Sequence, residues 1–336
     1  MKKVISIILV LTLAMITMIG CNDNGRTVEN TEQTISITDA VGRTVSVPQN
    51  PQRIVCLNSD LLELIIILGA KNRVVGIDSY TKSGGSWVAE KYSDMANLPC
   101  PQISNEINKE EMLNINADII ITTIFGQIAY EEVLKIEEYV DAPIVVFSFE
   151  HLETYFSEME NMSKILNTEN RYNVIKEKCD ELLNSVSKVV STLTDNEKVS
   201  VYHALWEPYI TFGKNIFEEE QIVTAGGKCV TSELDGFGIS VTAEQILNWN
   251  PDCFVLVYEC SLDTVKNDQK LSSLNAIENN KIYQHPESGW AFLSPRSILT
   301  IKWLSINFYP EKYQEVNFDT EIDDFYKMLY GFGYQK

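Results

Sequence analysis

A nine-residue segment of this 336-residue chain occurs twice. Glu110-Glu111-Met112-Leu113-Asn114-Ile115-Asn116-Ala117-Asp118, followed by Ile119-Ile120-Ile121, recurs as Glu244-Gln245-Ile246-Leu247-Asn248-Trp249-Asn250-Pro251-Asp252, followed by Cys253-Phe254-Val255, with five of nine positions identical and no gap. Each copy reads as a short helix, an Asn-rich turn and a buried strand. A chain that carries this unit twice is constrained to build two lobes of like organisation, with a glutamate at the same place in each.

The flanking sequence agrees. Ile35–Thr38 and Thr44–Val47 read as short strands linked by the turn Asp39-Ala40-Val41-Gly42. A β/α alternation follows: strand Ile54–Leu57, apolar helix Asp60–Leu68 closed by Gly69, strand Val74–Ile77, then strands Asp118–Thr122 and Ile144–Phe147 separated by a helix from about Ile128 to Tyr139. Strands alternating with helices predict an α/β fold with mainly parallel sheets covered on both faces. After Phe149 comes a long stretch of helical spacing: Leu152, Tyr155, Phe156, Met159 and Met162 on one face, then Tyr172, Ile175, Cys179, Leu182, Val186 and Leu193 on another. It separates the first β/α block from a second with strands at Lys198–His203, Cys253–Val257 and Lys281–Tyr283. Two helices close the chain, the first with Ser294 as N-cap and Pro295 in its first turn. The expected boundaries are 35–150 for the first lobe, 151–194 for the connecting segment and 195–336 for the second lobe with its closing helices.

The N-terminus reads as an export signal. Lys2 and Lys3 precede the apolar run Val4 to Ile16, and a short segment ends in Gly20-Cys21. Met18-Ile19-Gly20-Cys21 resembles a bacterial lipobox, although Ile19 is bulkier than the residue usual there. Residues 1–21 are therefore expected to be a lipoprotein signal with Cys21 the acylated residue, and polar residues 22–34 a tether. A formal charge of −20 and few arginines remove the phosphate-neutralising surface that nucleic acid requires. Six further cysteines stand at 56, 100, 179, 229, 253 and 260. Cys253 and Cys260 lie at opposite ends of one expected strand, roughly 20 Å apart at strand rise, too far to bridge. Mostly reduced, buried thiols are expected.

Together, the entry Thr38-Asp39-Ala40-Val41-Gly42-Arg43-Thr44-Val45 with Val47-Pro48, the segment Pro51-Gln52-Arg53-Ile54-Val55, the helix and turn from Glu63-Leu64 to Leu68-Gly69-Ala70, both repeat copies and Ser294-Pro295-Arg296 resemble one family. It is the cluster of helical-backbone, class III periplasmic binding proteins that serves ABC importers of ferric siderophores, haem, vitamin B12 and some metals or oxyanions. The resemblance implies two β/α lobes joined by a single long α-helix, and a carrier that partners an ABC permease and ATPase, held at the membrane by its lipid and acting as a monomer. In the family's vitamin B12 member, one glutamate on each lobe docks into arginine pockets of the permease. The matching positions here are Glu110 and Glu244, with Glu111 a competitor in the first lobe. Two carboxylates held at fixed spacing can form bidentate pairs with arginines and set orientation; a helix first turn also favours a carboxylate through the dipole alone.

The ligand cleft is expected between the lobes, at loops following the strands. Candidates in the first lobe are Asn58, Tyr80, Trp87 and Phe125; in the second, His203, Trp206, Tyr209, Tyr258 with Glu259, Trp290 and Arg296. This aromatic set suits stacking on a flat, partly apolar ligand. Arg296 is the one cation obviously placed to serve, and it could equally hold backbone carbonyls or a carboxylate of its own chain. That disfavours anionic catecholate chelates and favours a neutral chelate, haem or a corrinoid, with a small oxyanion such as molybdate as the alternative. Three histidines, one at the start of the connecting segment, do not suggest a protein metal site, and no cofactor is implied. G-x-S-x-G, H-E-x-x-H and a complete Walker A motif are missing, so no enzyme is expected. A surface lipoprotein with no transport role is the third reading.

Overall fold

The computed structural model describes residues 33–103, 106–124, 128–149, 151–287 and 294–335; Cys21, the signal segment, Phe125 and Trp290 lie outside them. The chain opens on an antiparallel hairpin, β1 (Thr34–Thr38) and β2 (Thr44–Pro48). The first lobe follows as β3 (Ile54–Cys56), α1 (Ser59–Ile67), β4 (Val74–Ile77), α2 (Ser79–Lys82), α3 (Trp87–Lys91), a small hairpin of β5 (Gln102–Ile103) and β6 (Glu106–Ile107), α4 (Lys109–Ile115), β7 (Ile119–Thr123), α5 (Tyr130–Leu134) and β8 (Ile144–Phe147). Then come α6 (Leu152–Leu166) and α7 (Glu169–Val190). The second lobe contains β9 (Ser200–Ala204), β10 (Ile210–Phe212), α8 (Phe217–Thr224), β11 (Lys228–Cys229), β12 (Phe237–Ser240), α9 (Ala243–Trp249), β13 (Cys253–Leu256), α10 (Leu262–Lys266), α11 (Asn275–Glu278) and β14 (Ile282–Gln284), and α12 (Ser297–Phe308) and α13 (Phe318–Tyr330) close the chain.

Each lobe holds a four-stranded, all-parallel sheet: β4-β3-β7-β8 in the first and β11-β9-β13-β14 in the second. Taken in chain order, both sheets run second, first, third, fourth, so the two lobes share a topology. The sheets are buried on both sides. Ile54 and Cys56 belong to a core that also takes α1, α6 and part of α7, whereas Val55 and Leu57 face a second core with Met112, Ile115 and Val133. The continuous apolar runs follow from that double burial.

The sequence repeat sits on the third strand of each sheet, and several of its identities have a structural cause. Asn116 and Asn250 end α4 and α9 in the left-handed conformation, at φ 50° and 42°, which asparagine tolerates better than most residues. Asp118 then accepts the backbone N–H groups of Gln52 and Arg53 at 2.7 and 2.8 Å, and Asp252 accepts the N–H and hydroxyl of Ser200, both at 2.8 Å. In each lobe the aspartate fixes the start of the neighbouring first strand. Glu110 and Glu244 have no comparable role: both stand exposed in a helix first turn.

The 22-residue α7 is about 33 Å long at helical rise. Tyr172, Ile175, Cys179 and Leu182 pack in the first-lobe core and Val186 in the second, so one helix reaches both. The last helix crosses back: Ile322, Phe325, Tyr326 and Leu329 of α13 are buried in the first-lobe core, beside Ile298 and Leu299 of α12. Two local expectations need correction. The helix expected over Ile128–Tyr139 is α only for Tyr130–Leu134 and tightens to a 3-10 turn at Lys135–Glu138. Ser294 does not cap α12: its carbonyl accepts the Ser297 N–H in a preceding turn, and Arg296 occupies the cap position. The cysteines at 56, 100, 179, 229, 253 and 260 are free thiols, and all but Cys100 are buried.

Arg296 ties these parts together. Its Nε and Nη2 donate to the two carboxylate oxygens of Glu63 on α1 at 3.0 and 2.8 Å, and its Nη1 donates to Glu287 at 2.7 Å. The Tyr330 hydroxyl donates to Glu63 and the Tyr326 hydroxyl to Glu287. The Trp87 ring covers the guanidinium at 4.0 Å. Burial alone would lower the arginine pKa, but Glu63, Tyr330 and Glu287 outweigh it and raise it well above the usual value. The ion pair joins the first lobe, the start of α12 and α13.

Two histidines sit in the second-lobe interior. His203, at the end of β9, packs its ring on Phe212 at 4.7 Å and near His285 at 5.8 Å, and both are buried. Burial, with His285 as a lesser cause, holds His203 well below the usual imidazole range, and burial lowers His285 from 6.5 to about 3.

Two stability predictions follow from these clusters. Arg296→Ala leaves Glu63 buried without its partner, and urea unfolding should show a loss of about 3–5 kcal/mol; a loss under about 1 kcal/mol would mean the cluster does not tie the lobes. His285 has a folded pKa below its unfolded value, so the folded state resists protonation. Its contribution is complete above pH 6.5 and is lost as pH falls toward 3. His285→Phe should flatten that acid limb in thermal melts, and an unchanged slope would assign the acid loss to other groups.

Candidate functional site

A cleft of about 650 Å3 opens between the lobes at the C-terminal ends of the parallel strands. This is where α/β sheets place ligands, and the volume lies within the usual range for a small-molecule site. Its first-lobe wall comes from the start of α1 and from α2 to α3: Ser59, Asp60 and Glu63, then Tyr80, Gly85 to Val88, and Glu90. Its second-lobe wall comes from Tyr258 and Glu259 after β13, with Glu287 and Arg296.

Local sequence explains how each side chain reaches the cleft. Asn58 caps α1, its Oδ1 accepting the N–H groups of Asp60 and Leu61 at 3.0 Å each. The cap turns the chain sharply out of β3 and presents Ser59 and Asp60. Gly85 lets the Tyr80 ring lie against the backbone, since a Cβ there would fall 2.3 Å from that ring and displace it. Ser86 caps α3 and places Trp87 at its first position. Tyr258 holds a left-handed backbone at φ 52°, unusual for an aromatic residue and a form of strain often found at ligand sites.

The cleft is acidic. Burial, reinforced by Glu63 and opposed by Arg296, pushes the Asp60 carboxyl up to about 6, with Asp78 a smaller raising influence. Burial, then the charges of Glu218, Asp60 and Glu259, raise the Tyr258 phenol. Glu218 of α8 is itself pushed up to about 7 by burial. Among the described residues no group of three His, Cys, Asp or Glu side chains has the arrangement to hold a metal ion.

Of the residues expected in the cleft, Tyr80, Trp87, Tyr258, Glu259 and Arg296 line it. Arg296 does so with its guanidinium taken up by Glu63 and Glu287, the own-chain pairing that its isolation in the sequence allowed. Asn58 lies just outside the lining, its side chain occupied as a cap. Trp206 forms a rim: it is 40% exposed and stacks on Tyr258 at 5.7 Å with 21° between the planes, while Phe237 meets its edge at 5.5 Å. Two expectations are corrected. His203 is core, because β9 runs one residue further than expected and the side chain faces Phe212. Tyr209 has been carried away by the turn into β10; its hydroxyl donates to Asp268, and it lines a separate notch with Glu244, Leu247 and Lys270. Phe125 and Trp290 fall outside the described residues.

Asp60, Glu63, Glu90 and Glu287 were not anticipated. Glu63 carried a readable signal, as the one charge inside the apolar run Leu61 to Leu68, where burial requires a partner.

A family model described as "Periplasmic binding protein" matches residues 54–288. The molybdate-binding protein MolA of Haemophilus influenzae is 26% identical over 89% of this chain and 92% of its own. Its molybdate-bound structure superposes with a TM-score of 0.76 at 19% identity, covering 90% of this chain and 99% of that one. YvrC of Bacillus subtilis, an uncharacterized ABC transporter substrate-binding lipoprotein, is 23% identical over 94% of this chain and 100% of its own. A periplasmic solute binding protein from Veillonella parvula reaches a TM-score of 0.75 at 20% identity, covering 90% of this chain and 95% of that one. With lobes of one topology, a helix reaching both cores, a cleft walled by both lobes and a family match over most of its length, the chain belongs to the periplasmic binding protein family, the substrate-binding, non-catalytic component of ABC transporters.

Proposed function

We propose that this protein is a lipid-anchored, extracytoplasmic carrier that captures a metal-containing small molecule, of the ferric siderophore, haem or corrinoid class, and hands it to a membrane permease. The observation that carries this reading is the cleft. It has room for a chelate, and Tyr80 and Trp87 line one wall and Tyr258 the other, with Trp206 stacked on Tyr258 at the rim. Aromatic faces on both walls can grip a flat or apolar ligand surface. A whole chelate also fits a cleft whose described residues offer no three-ligand metal site.

Membrane attachment rests on Cys21 and its lipobox-like setting. Delivery rests on Glu110 and Glu244. Asn116, Asp118 and their counterparts in the second copy serve the fold, whereas these exposed carboxylates recur at one position of both lobes, with Glu244 tied only locally to its cap residue Thr242. They fit a pair of arginine sockets on a permease driven by an ATPase subunit. A second reading, transport of an oxyanion, is favoured by the likeness to MolA, whose name gives molybdate as its ligand.

Tryptophan fluorescence of the soluble chain, titrated with haem, cobalamin, hydroxamate and catecholate ferric complexes and molybdate, should show saturable quenching by a metal complex. Quenching by molybdate alone would replace the chelate reading with the oxyanion one. Glu110→Ala combined with Glu244→Ala should leave that affinity within about twofold, under 0.5 kcal/mol, while abolishing uptake by cells. Normal uptake by the double variant would reject the docking role.

A further inference from the structure

We infer that the cleft selects its cargo by charge, taking metal complexes of net positive charge and excluding anionic chelates and oxyanions. This rests on the carrier reading above and specifies its substrate class.

The lining contains five carboxylates, Asp60, Glu63, Glu90, Glu259 and Glu287, against the single guanidinium of Arg296. That cation is not available to a ligand. All three of its nitrogens donate to Glu63 and Glu287, its face is covered by Trp87, and its side chain is 3% exposed. Glu90 has a neighbouring counter-ion in Lys91 at 2.8 Å, so the uncompensated groups facing the space are Asp60 on one lobe and Glu259 on the other. The internal segments outside the described residues, 104–105, 125–127, 150 and 288–293, contain no lysine, arginine or histidine in their sequence. None of them can bring a counter-charge.

A second feature points the same way. The stacked Trp206 and Tyr258 present aromatic faces at the second wall, and such faces attract cations and repel anions. An anion entering here meets carboxylates from both lobes at reduced dielectric, whereas a cation is attracted by them. Ionisation of Asp60 strengthens the effect as pH rises through about 6. The groups facing that carboxyl are Glu63 and Asp78 on its own lobe and Arg296 and Tyr258 on the opposite wall.

The test uses probes matched in shape and different in charge, at low ionic strength and neutral pH: cationic aquocobalamin against neutral cyanocobalamin, and cationic ferrioxamine B against an anionic ferric tris-catecholate, with molybdate as the small anion. Within the pair that binds, the cationic member should bind at least about tenfold more tightly. That preference should shrink with added salt and on lowering the pH to about 5. Glu259→Gln and Asp60→Asn should each reduce it several-fold, roughly the effect of one partly screened charge. Tighter binding of the anionic member, or equal binding of both, would overturn the charge inference and leave the carrier reading standing. Binding of no probe by the folded protein would overturn the carrier reading and this inference with it.

Discussion

The buried ion pair between Arg296 and Glu63 is the contact on which the arrangement of the molecule depends. It links residues separated by 233 positions in the chain, joining the first helix of one lobe to the opening of α12. Tyr330 of α13 shares Glu63, and Tyr326 shares Glu287. Two charges taken out of water recover their hydration only when every donor and acceptor is met, and here a guanidinium, two carboxylates, two phenols and an indole face meet that requirement together. The same contact decides what the cleft can do. A cation sequestered by two carboxylates leaves an acidic floor.

The helix α7 and the returning α13 make the lobes one body. A helix whose first turns are buried in one core and whose last turns reach another couples the two lobes directly rather than through a loop. The strained backbone of Tyr258 fits that picture: the rigid frame holds an aromatic side chain at the cleft in a conformation an isolated loop would abandon.

Much of the fold was legible in the sequence because its determinants are local. The apolar runs at Ile54, Ile119, Ile144 and Cys253 are strands buried on both faces, and the duplicated Asn116/Asn250 and Asp118/Asp252 serve a nearby turn and the adjacent strand. The cleft was less legible because its residues depend on contacts between distant segments. For Arg296 the sequence left a ligand and a carboxylate of its own chain both open, and only the packing of α1 against α12 identifies Glu63 as its partner. Asp60 was overlooked because nothing in its neighbourhood distinguishes it from an ordinary first-turn acid. His203 and Tyr209 were expected at the cleft because they stand at or beyond the end of a strand, but the His203 ring packs inward on Phe212 and the turn into β10 carries Tyr209 to Asp268. The opening of α12 differs as well: Ser294-Pro295 has the composition of a helix start, yet a turn closed by the Ser297 N–H on the Ser294 carbonyl precedes the helix, which begins at Ser297.

The central claim is that cargo lies between the lobes and touches both. Hydrogen–deuterium exchange of the protein, with and without a metal complex that quenches its tryptophans, addresses that claim most directly. The account predicts simultaneous protection at residues 58–63, 80–90 and 258–259, with no change around Glu110 or Glu244. Protection confined to one lobe, or centred on the notch beside Glu244, would contradict it.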